Sequence, residues 1–182
     1  MTLAEIEKTI EDEFKRLFDE DLAPVMTAEF VNGVVNTDKA LGVTFSTFQT
    51  DEIAAQFVAD YKTPFFKDLS GTTKKYLFDA IKTTIDEGGT AYDLWRKIEG
   101  NKAFTPTRAE LIWRTEMSRA FNEGTDARAK DLGVERGYIE CGGDPCEECA
   151  GWCNKEMRWE DLPALPRHPR CECVKIPLPR ER

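Results

Sequence analysis

Histidine is almost absent from this sequence of 182 residues, and its one imidazole belongs to His168. A two-histidine zinc finger, an H-E-x-x-H metalloprotease and a nuclease with a second histidine as metal ligand each need at least one more. The composition therefore excludes these three classes of protein.

A basic excess is missing as well. The chain carries 25 Lys and Arg residues against 34 Asp and Glu residues, which gives a net charge of −9. A protein that binds nucleic acid on its own neutralises phosphates with clustered Lys and Arg side chains, and no cluster of that kind occurs here. The charge balance argues against direct nucleic-acid binding.

Long hydrophobic runs are the third absence. No apolar run approaches the roughly 18 residues that a membrane span needs. The opening segment Met1-Thr2-Leu3-Ala4-Glu5 has neither the basic start nor the hydrophobic stretch of a signal peptide. We expect no membrane association and a protein that is made and kept in a cytoplasm.

The acidic charge is concentrated in the first part of the chain. Residues 1–104 contain 12 basic and 19 acidic residues, whereas residues 105–182 contain 13 and 15. We divide the chain there into a helical N-terminal region, 1–104, and a C-terminal region, 105–182. The boundary is soft, because both regions can share one core.

Apolar residues recur at three- and four-residue steps in much of the N-terminal region, a period that predicts amphipathic helices. The predicted helices span residues 2–20, 51–64, about 70–88 and 90–100. Proline ends helices, so the second is expected to stop at Pro64. From about residue 24 to 50 the pattern loosens around Gly33 and Gly42, and short irregular elements are expected.

The clearest helix signal lies between Thr105 and Gly133. A capping threonine precedes a proline at the first helical position, and one continuous face is apolar or small. The small residues on that face allow another element to approach closely; they are Ala120, Gly124 and Ala127. Opposite charges at helical spacing fit a solvated ladder or a buried polar network equally well. They are Glu110 with Arg114, Glu116 with Arg119, and Arg119 with Glu123.

After Gly137 the residue types change. Residues 138–140 and 171–176 resemble short strands, and the segment between them is rich in turn-forming glycine and proline. The predicted fold is mainly α with a small α+β C-terminal region: a helical N-terminal part, one long helix, and short strands closed by a Cys/His metal site.

Cysteine is absent from the first 140 residues, whereas all six cysteines lie in the last 42 together with His168. A C-x-x-C pair, Cys146 and Cys149, is followed eighteen residues later by the H-P-x-C-x-C segment, His168 to Cys173. Two ligand pairs from separate segments can build a tetrahedral zinc site, and metal-bound thiolates persist in a reducing compartment. We predict one structural zinc per chain, held by Cys146, Cys149, His168 and one of Cys171 or Cys173.

Other interpretations of the cysteines stay open. The spacing Cys141-x4-Cys146-x2-Cys149 matches part of a plant-type iron–sulfur loop, with one of the last two cysteines as fourth ligand, which would make the protein an electron carrier. A disulfide, for example from Cys146 to Cys149 or Cys171, is expected if the protein ends in an oxidising particle. Cys141 and Cys153 are otherwise expected to be plain small buried residues.

Four segments of the C-terminal half form an ordered set. They are Arg108-Ala109-Glu110-Leu111-Ile112-Trp113-Arg114-Thr115-Glu116, Ala120-Phe121-Asn122-Glu123-Gly124, Asp144-Pro145-Cys146-Glu147-Glu148-Cys149 and His168-Pro169-Arg170-Cys171-Glu172-Cys173. The set resembles the phage Mu F-like head morphogenesis family, the minor head or minor capsid proteins of tailed phages. The resemblance covers about residues 70–175, and the motifs are specific as an ordered set, although each alone is weak.

The resemblance implies a structural role without catalytic residues. A few copies would associate with the portal protein and with capsid or scaffold proteins during procapsid assembly in the host cytoplasm, and would remain in the virion head. The positions carried over are Arg114, Thr115 and Glu116 in the helix, and Cys146, Cys149, His168, Cys171 and Cys173 in the terminal segment.

This sequence departs from the family pattern at four positions. Glu172 stands where arginine is usual, Asn154 stands where glycine usually precedes Lys155, and Cys141 and Cys153 are additional. The extra thiols leave the ligand set open more than they weaken the resemblance.

An enzymatic alternative uses the same residues. Arg114, Glu116 and the metal could form a transferase-like or nuclease-like site. Catalytic zinc needs an open coordination position and a nearby general base, so a closed four-ligand site apart from Glu116 would argue against it.

Overall fold

The computed structural model describes residues 8, 12, 15–16, 18–44, 48–88, 93, 96–97, 106–142 and 145–180. Its longer helices are α1 (Ala23–Leu41), α2 (Thr50–Asp86) and α3 (Pro106–Asp131), followed by β1 (Arg136–Glu140), a short α4 (Glu147–Ala150), β2 (Met157–Arg158) and β3 (Val174–Pro177). A π-helical turn, Phe18–Leu22, leads into α1, and a 3-10 turn, Trp159–Asp161, follows β2. The predicted fold class, mainly helical with a small α+β end, is confirmed. Among the described helices, none has both the length and the hydropathy that crossing a membrane requires.

The expectation of irregular structure from about residue 24 to 50 is wrong over Ala23–Leu41, which is helical. Met26, Phe30 and Val34 recur at four-residue steps and are buried, so this segment has a helical apolar face. Gly33 does not end the helix. Its backbone is buried against another helix, and that contact explains why a glycine stands there.

The predicted stop at Pro64 is also wrong, because α2 runs through this proline to Asp86. A proline inside a helix removes one backbone hydrogen bond and costs about 3 kcal/mol. Aromatic rings pack beside the proline. The ring of Phe65 lies 5.3 Å from that of Phe18 and 6.1 Å from that of Tyr61, measured between centroids.

Two predicted helices cannot be compared with the structure. Most residues of the helix predicted over 2–20, and most residues of the short helix predicted over 90–100, lie outside the described residues.

The chain forms two compact units, and neither is one continuous stretch. The first consists of Met1–Leu22 and Ala59–Glu110, the second of Ala23–Val58 and Leu111–Arg182. The predicted boundary at residue 104 divides the chain once, whereas the second unit joins α1 to the residues that follow 110.

In the second unit α1 and α3 meet backbone to backbone through two glycines. A Cβ atom added to Gly124 would lie 2.0 Å from the carbonyl oxygen of Phe30, and one added to Gly33 would lie 2.0 Å from that of Phe121. The buried Arg128 side chain then donates a 2.6 Å hydrogen bond to Asp38. The close approach predicted for the small-residue face of α3 is therefore confirmed at Gly124.

The strands form an antiparallel sheet in the order β2-β1-β3, in which Tyr138 pairs with Ile176. The first predicted strand is confirmed and starts two residues earlier, at Arg136. The second begins at Val174 rather than Cys171. Strand β1 ends at Glu140, whose partner in the sheet is Val174, and the carbonyl of Cys173 accepts a hydrogen bond from the Asn122 side chain of α3.

Candidate metal centre

The C-x-x-C pair is shaped by one turn of helix. The backbone N–H groups of Cys149 and Ala150 both donate to the carbonyl oxygen of Cys146, at 3.0 and 2.8 Å. This turn brings the Cys146 and Cys149 thiols to one side of α4, with Cys146 exposed and Cys149 buried.

The imidazole of His168 lies against both thiols. Its Nε2 atom is 3.0 Å from the Sγ of Cys146 and 3.3 Å from the Sγ of Cys149. On the far side of the ring, Nδ1 lies 2.8 Å from the carbonyl oxygen of Pro169. A carbonyl only accepts hydrogen bonds, so this contact requires the proton on Nδ1, and in the neutral imidazole the lone pair of Nε2 then faces the thiols. Histidines that bind metals are commonly oriented by this kind of second hydrogen bond.

The last two cysteines complete the cluster from the turn before β3. The Sγ of Cys171 lies 3.9 Å from that of Cys149. The donor atoms form two overlapping groups, each with all atoms within 4.8 Å of one another: Cys146, Cys149 and His168, and Cys149, Cys171 and Cys173. All five predicted ligands are therefore brought together, and Cys149 is common to both groups.

The thiols differ in how readily they lose a proton. Burial raises the pKa of Cys149, and hydrogen bonds with the neighbouring thiols of Cys173 and Cys146 raise it further. Burial also raises the pKa of Cys173. At Cys171 burial again opposes ionisation, but hydrogen bonds with the backbone of Arg167 and Cys173 outweigh it, so its pKa lies below the ordinary value.

The donor set fits a metal ion. Tetrahedral zinc with Zn–S bonds of about 2.3 Å places neighbouring sulfur ligands about 3.8 Å apart. The separation of 3.9 Å between Cys149 and Cys171 matches this value. Thiolate and imidazole donors suit a borderline-soft cation, whose positive charge would also offset the cost of ionising buried thiols. These residues could hold a metal ion.

The apolar core around the site is built partly from the ligands themselves. The buried cluster consists of Ile139, Cys149, Leu162, Leu165, Cys171 and Cys173. The partly buried side chains packed against it include Trp152, Met157 and Trp159. Half of the buried members are cysteines, so the thiols are themselves part of the packing of this core.

Two of the three helix motif residues contact the H-P-x-C-x-C segment. Arg114 donates a 2.9 Å hydrogen bond to the Glu172 carboxylate. The hydroxyl of Thr115 donates to the carbonyl of Leu111 at 2.7 Å and accepts the backbone N–H of Arg170 at 3.1 Å. These contacts attach the turn that carries His168 and Cys171 to α3.

Glu116 has a different partner. Its carboxylate is buried and accepts a 3.2 Å hydrogen bond from the Nε of Arg119. One charged pair predicted from helical spacing is thereby confirmed. Because the described partner of Glu116 is an arginine of its own helix, the geometry does not assign it to the metal.

Cys141 and Cys153 form a disulfide, so the expectation that they are plain buried thiols is wrong. Their Cα atoms lie 5.6 Å apart, and both side chains are half-buried. The four remaining cysteines are free, including those proposed for a Cys146 disulfide. Cys141 is also not available as an iron–sulfur ligand while it is bonded to Cys153.

The other departures from the family pattern have local explanations. Asn154 has a φ of 54°, in the left-handed region where glycine is favoured and asparagine is tolerated. Glu172 forms the ion pair with Arg114 described above.

Asn122, which the sequence offers only as a member of one motif segment and with no predicted role, connects α3 to β3. The buried Asn122 donates to the carbonyl of Cys173 at 3.2 Å and accepts the backbone N–H of Lys175 at 3.0 Å. Nothing in the spacing of Asn122 distinguishes it from a solvated helix residue.

Compared with protein-family models, curated proteins and solved structures, the chain matches none of them.

Proposed function

We propose that this protein is a structural minor head, or minor capsid, protein of a tailed bacteriophage that acts in procapsid and head assembly. One observation carries the proposal. The R-T-E helix, the C-x-x-C pair and the H-P-x-C-x-C segment occur in the family order. Thr115 of the helix accepts a hydrogen bond from the backbone N–H of Arg170 in the terminal segment. The helix motif and the terminal motif are therefore in contact in this chain, which supports the ordered set as a family signature.

The metal in this proposal is one structural zinc per chain. Cys146, Cys149, His168 and one of Cys171 or Cys173 would hold it, and Cys171 is favoured by its contact with Cys149. A closed set of four protein ligands supplies stability rather than catalysis. Bound zinc would connect α4 to the turn before β3.

The proposed partners are the portal protein and the capsid or scaffold proteins, with the protein present in the host cytoplasm during assembly and in the virion head afterwards. The acidic excess of residues 1–104 supports a partner surface that is basic, since complementary charge favours encounter.

The assembly role is tested in infected cells. We expect a tagged copy of the chain to co-purify with the portal protein, and we expect deletion of its gene to reduce the yield of filled heads and infectious particles. Restoring the gene on a plasmid is the control. Unchanged head yield and infectivity in the deletion would overturn the assembly role.

A further inference from the structure

The disulfide between Cys141 and Cys153 encloses the C-x-x-C pair. The bridged cysteines are 12 residues apart, and Cys146 and Cys149 both lie between them. We call residues 141–153 the metal loop. The bridge therefore closes a loop that carries two of the proposed metal ligands.

Both ends of the metal loop are anchored at β1. Cys141 directly follows the last strand residue, and Cys153 forms an isolated β-bridge with Ile139. The N–H of Asn154 donates to the carbonyl oxygen of Ile139 at 2.8 Å. The disulfide thus adds a covalent connection at the junction where the loop returns to the strand.

The described part of the loop has little burial of its own. Within 145–152 only Cys149 is buried and Trp152 half-buried, and the other residues are exposed. Exposed residues contribute little packing energy. Once the bridge is opened, the positions of Cys146 and Cys149 depend on one turn of helix, on the packing of Cys149 and Trp152, and on the backbone contacts of residues 153–154 with Ile139.

The disulfide uses no proposed ligand, since Cys146, Cys149, Cys171 and Cys173 remain free. Its oxidation state can therefore change the positions of the ligands without changing their number. We propose that the Cys141–Cys153 disulfide is a redox-sensitive clamp on the metal loop: closed, it holds Cys146 and Cys149 for the ion and slows metal loss, and open, it allows faster loss. This inference rests on the proposed metal centre.

The coupling must act in both directions. If closing the disulfide tightens metal binding by some factor, metal binding makes the disulfide harder to reduce by the same factor. Metal also keeps the ligand thiolates from attacking the disulfide, because a coordinated sulfur is a poorer nucleophile for thiol–disulfide exchange. Zinc-loaded protein should therefore retain the Cys141–Cys153 pairing, and metal-free protein should exchange it.

Opening the disulfide requires a reductant, and closing it requires an oxidant. A water-soluble phosphine opens the disulfide: the phosphine gains an oxygen from water and becomes a phosphine oxide, while two electrons and two protons convert the sulfurs to thiols. A small disulfide such as oxidised glutathione closes it by exchange and leaves as two thiols.

The test measures zinc release from the full-length protein into an excess of a chromogenic chelator. Mass spectrometry of the wild type first establishes the disulfide, and release is then followed with and without phosphine. We expect release to be at least about tenfold faster after reduction, because an open loop samples many more conformations.

The matched control is the Cys141→Ser/Cys153→Ser double variant, in which phosphine should have no effect and release should be fast throughout. If the variant does not fold, the comparison of zinc release from oxidised and reduced wild type still tests the clamp. Bound zinc that leaves at equal rates from oxidised and reduced wild type overturns the clamp and leaves the metal centre intact. Absence of bound zinc in both forms overturns the metal centre, and the clamp with it.

Discussion

Gly124 occupies the position where α3 passes closest to α1. A methyl group there would lie 2.0 Å from the carbonyl oxygen of Phe30, which is backbone and cannot rotate away. Gly33 is in the reciprocal position against Phe121. The cost of two glycines in helices, about 1 kcal/mol each, is offset by the backbone contact that they allow.

We expect Gly124→Ala to lower the free energy of unfolding by about 1–3 kcal/mol, because the two helices must separate to admit the methyl group. Gly71→Ala is the matched control. Gly71 is also a helical glycine, but a Cβ atom there would have no neighbour within 4 Å, so alanine should be neutral or stabilise α2 by up to about 1 kcal/mol. Urea denaturation of both variants measures the difference. Equal stability of the two variants would show that the helices do not meet at Gly124.

The two crossing glycines also mark a limit of sequence analysis at this scale. The sequence predicts a close approach at Gly124, because this glycine belongs to a row of small residues on a strongly periodic helix. Gly33 stands alone beside weaker periodicity, and local sequence does not distinguish a glycine that breaks a helix from one that receives another helix. Only the tertiary contact with Phe121 separates the two cases.

At the scale of elements, α3 is the structural centre of the second unit. One of its faces packs on α1, and Asn122 hydrogen-bonds the backbone on either side of Val174, at the start of β3. The side-chain amide of Asn122 donates one hydrogen bond to a carbonyl and accepts one from a backbone N–H, as the backbone of a neighbouring strand would. The same helix contacts the H-P-x-C-x-C turn through Thr115.

Asn122→Ala is expected to destabilise the protein by about 2–4 kcal/mol, because the N–H of Lys175 and the carbonyl of Cys173 would both lose their partner while buried. Asn32→Ala, at an exposed position of α1, removes the same amide and should change stability by less than about 0.5 kcal/mol. Thermal or urea unfolding measures both. A loss at Asn122 no larger than that at Asn32 would contradict the bridging role.

The elements were predictable where local signals agreed. In α3 a proline at the first position and a long apolar face both predict a helix, and the observed helix begins at Pro106. At Pro64 the local rule failed, since α2 continues through the proline to Asp86, with aromatic contacts at Tyr61 and Phe65. Strand β3 begins at Val174, later than predicted, because its partner strand β1 ends at Glu140, which pairs with Val174.

At the scale of the whole molecule, the C-terminal core is small and rich in cysteine. Its buried members are Ile139, Cys149, Leu162, Leu165, Cys171 and Cys173. In zinc-dependent domains the free energy of metal binding contributes directly to folding. The clustering of these thiols with His168 was predictable from their spacing alone. The Cys141–Cys153 disulfide was not, since it depends on the loop returning to β1.

We expect anaerobically purified protein to contain about one zinc per chain. Cys149→Ser should lose the zinc and lower the free energy of unfolding by at least about 2 kcal/mol, because Cys149 is buried and lies in both donor groups. Ala150→Ser places a hydroxyl on the next, exposed residue of the same turn and should retain the metal. Metal analysis and thermal unfolding provide the two measurements. A wild type that is metal-free and fully folded would refute the structural zinc.

The discontinuity of the second unit has a consequence for synthesis on the ribosome. Helix α1 is made early, and its Phe30 side chain packs against Ala54 and Phe57 of α2, but the α3 backbone that covers Gly33 comes about ninety residues later. Until α3 emerges, the glycine crossing has no partner in the growing chain, and contacts of such high sequence separation slow folding. A fragment that starts at residue 105 would lack α1 and would leave the face of α3 around Gly124 uncovered by it.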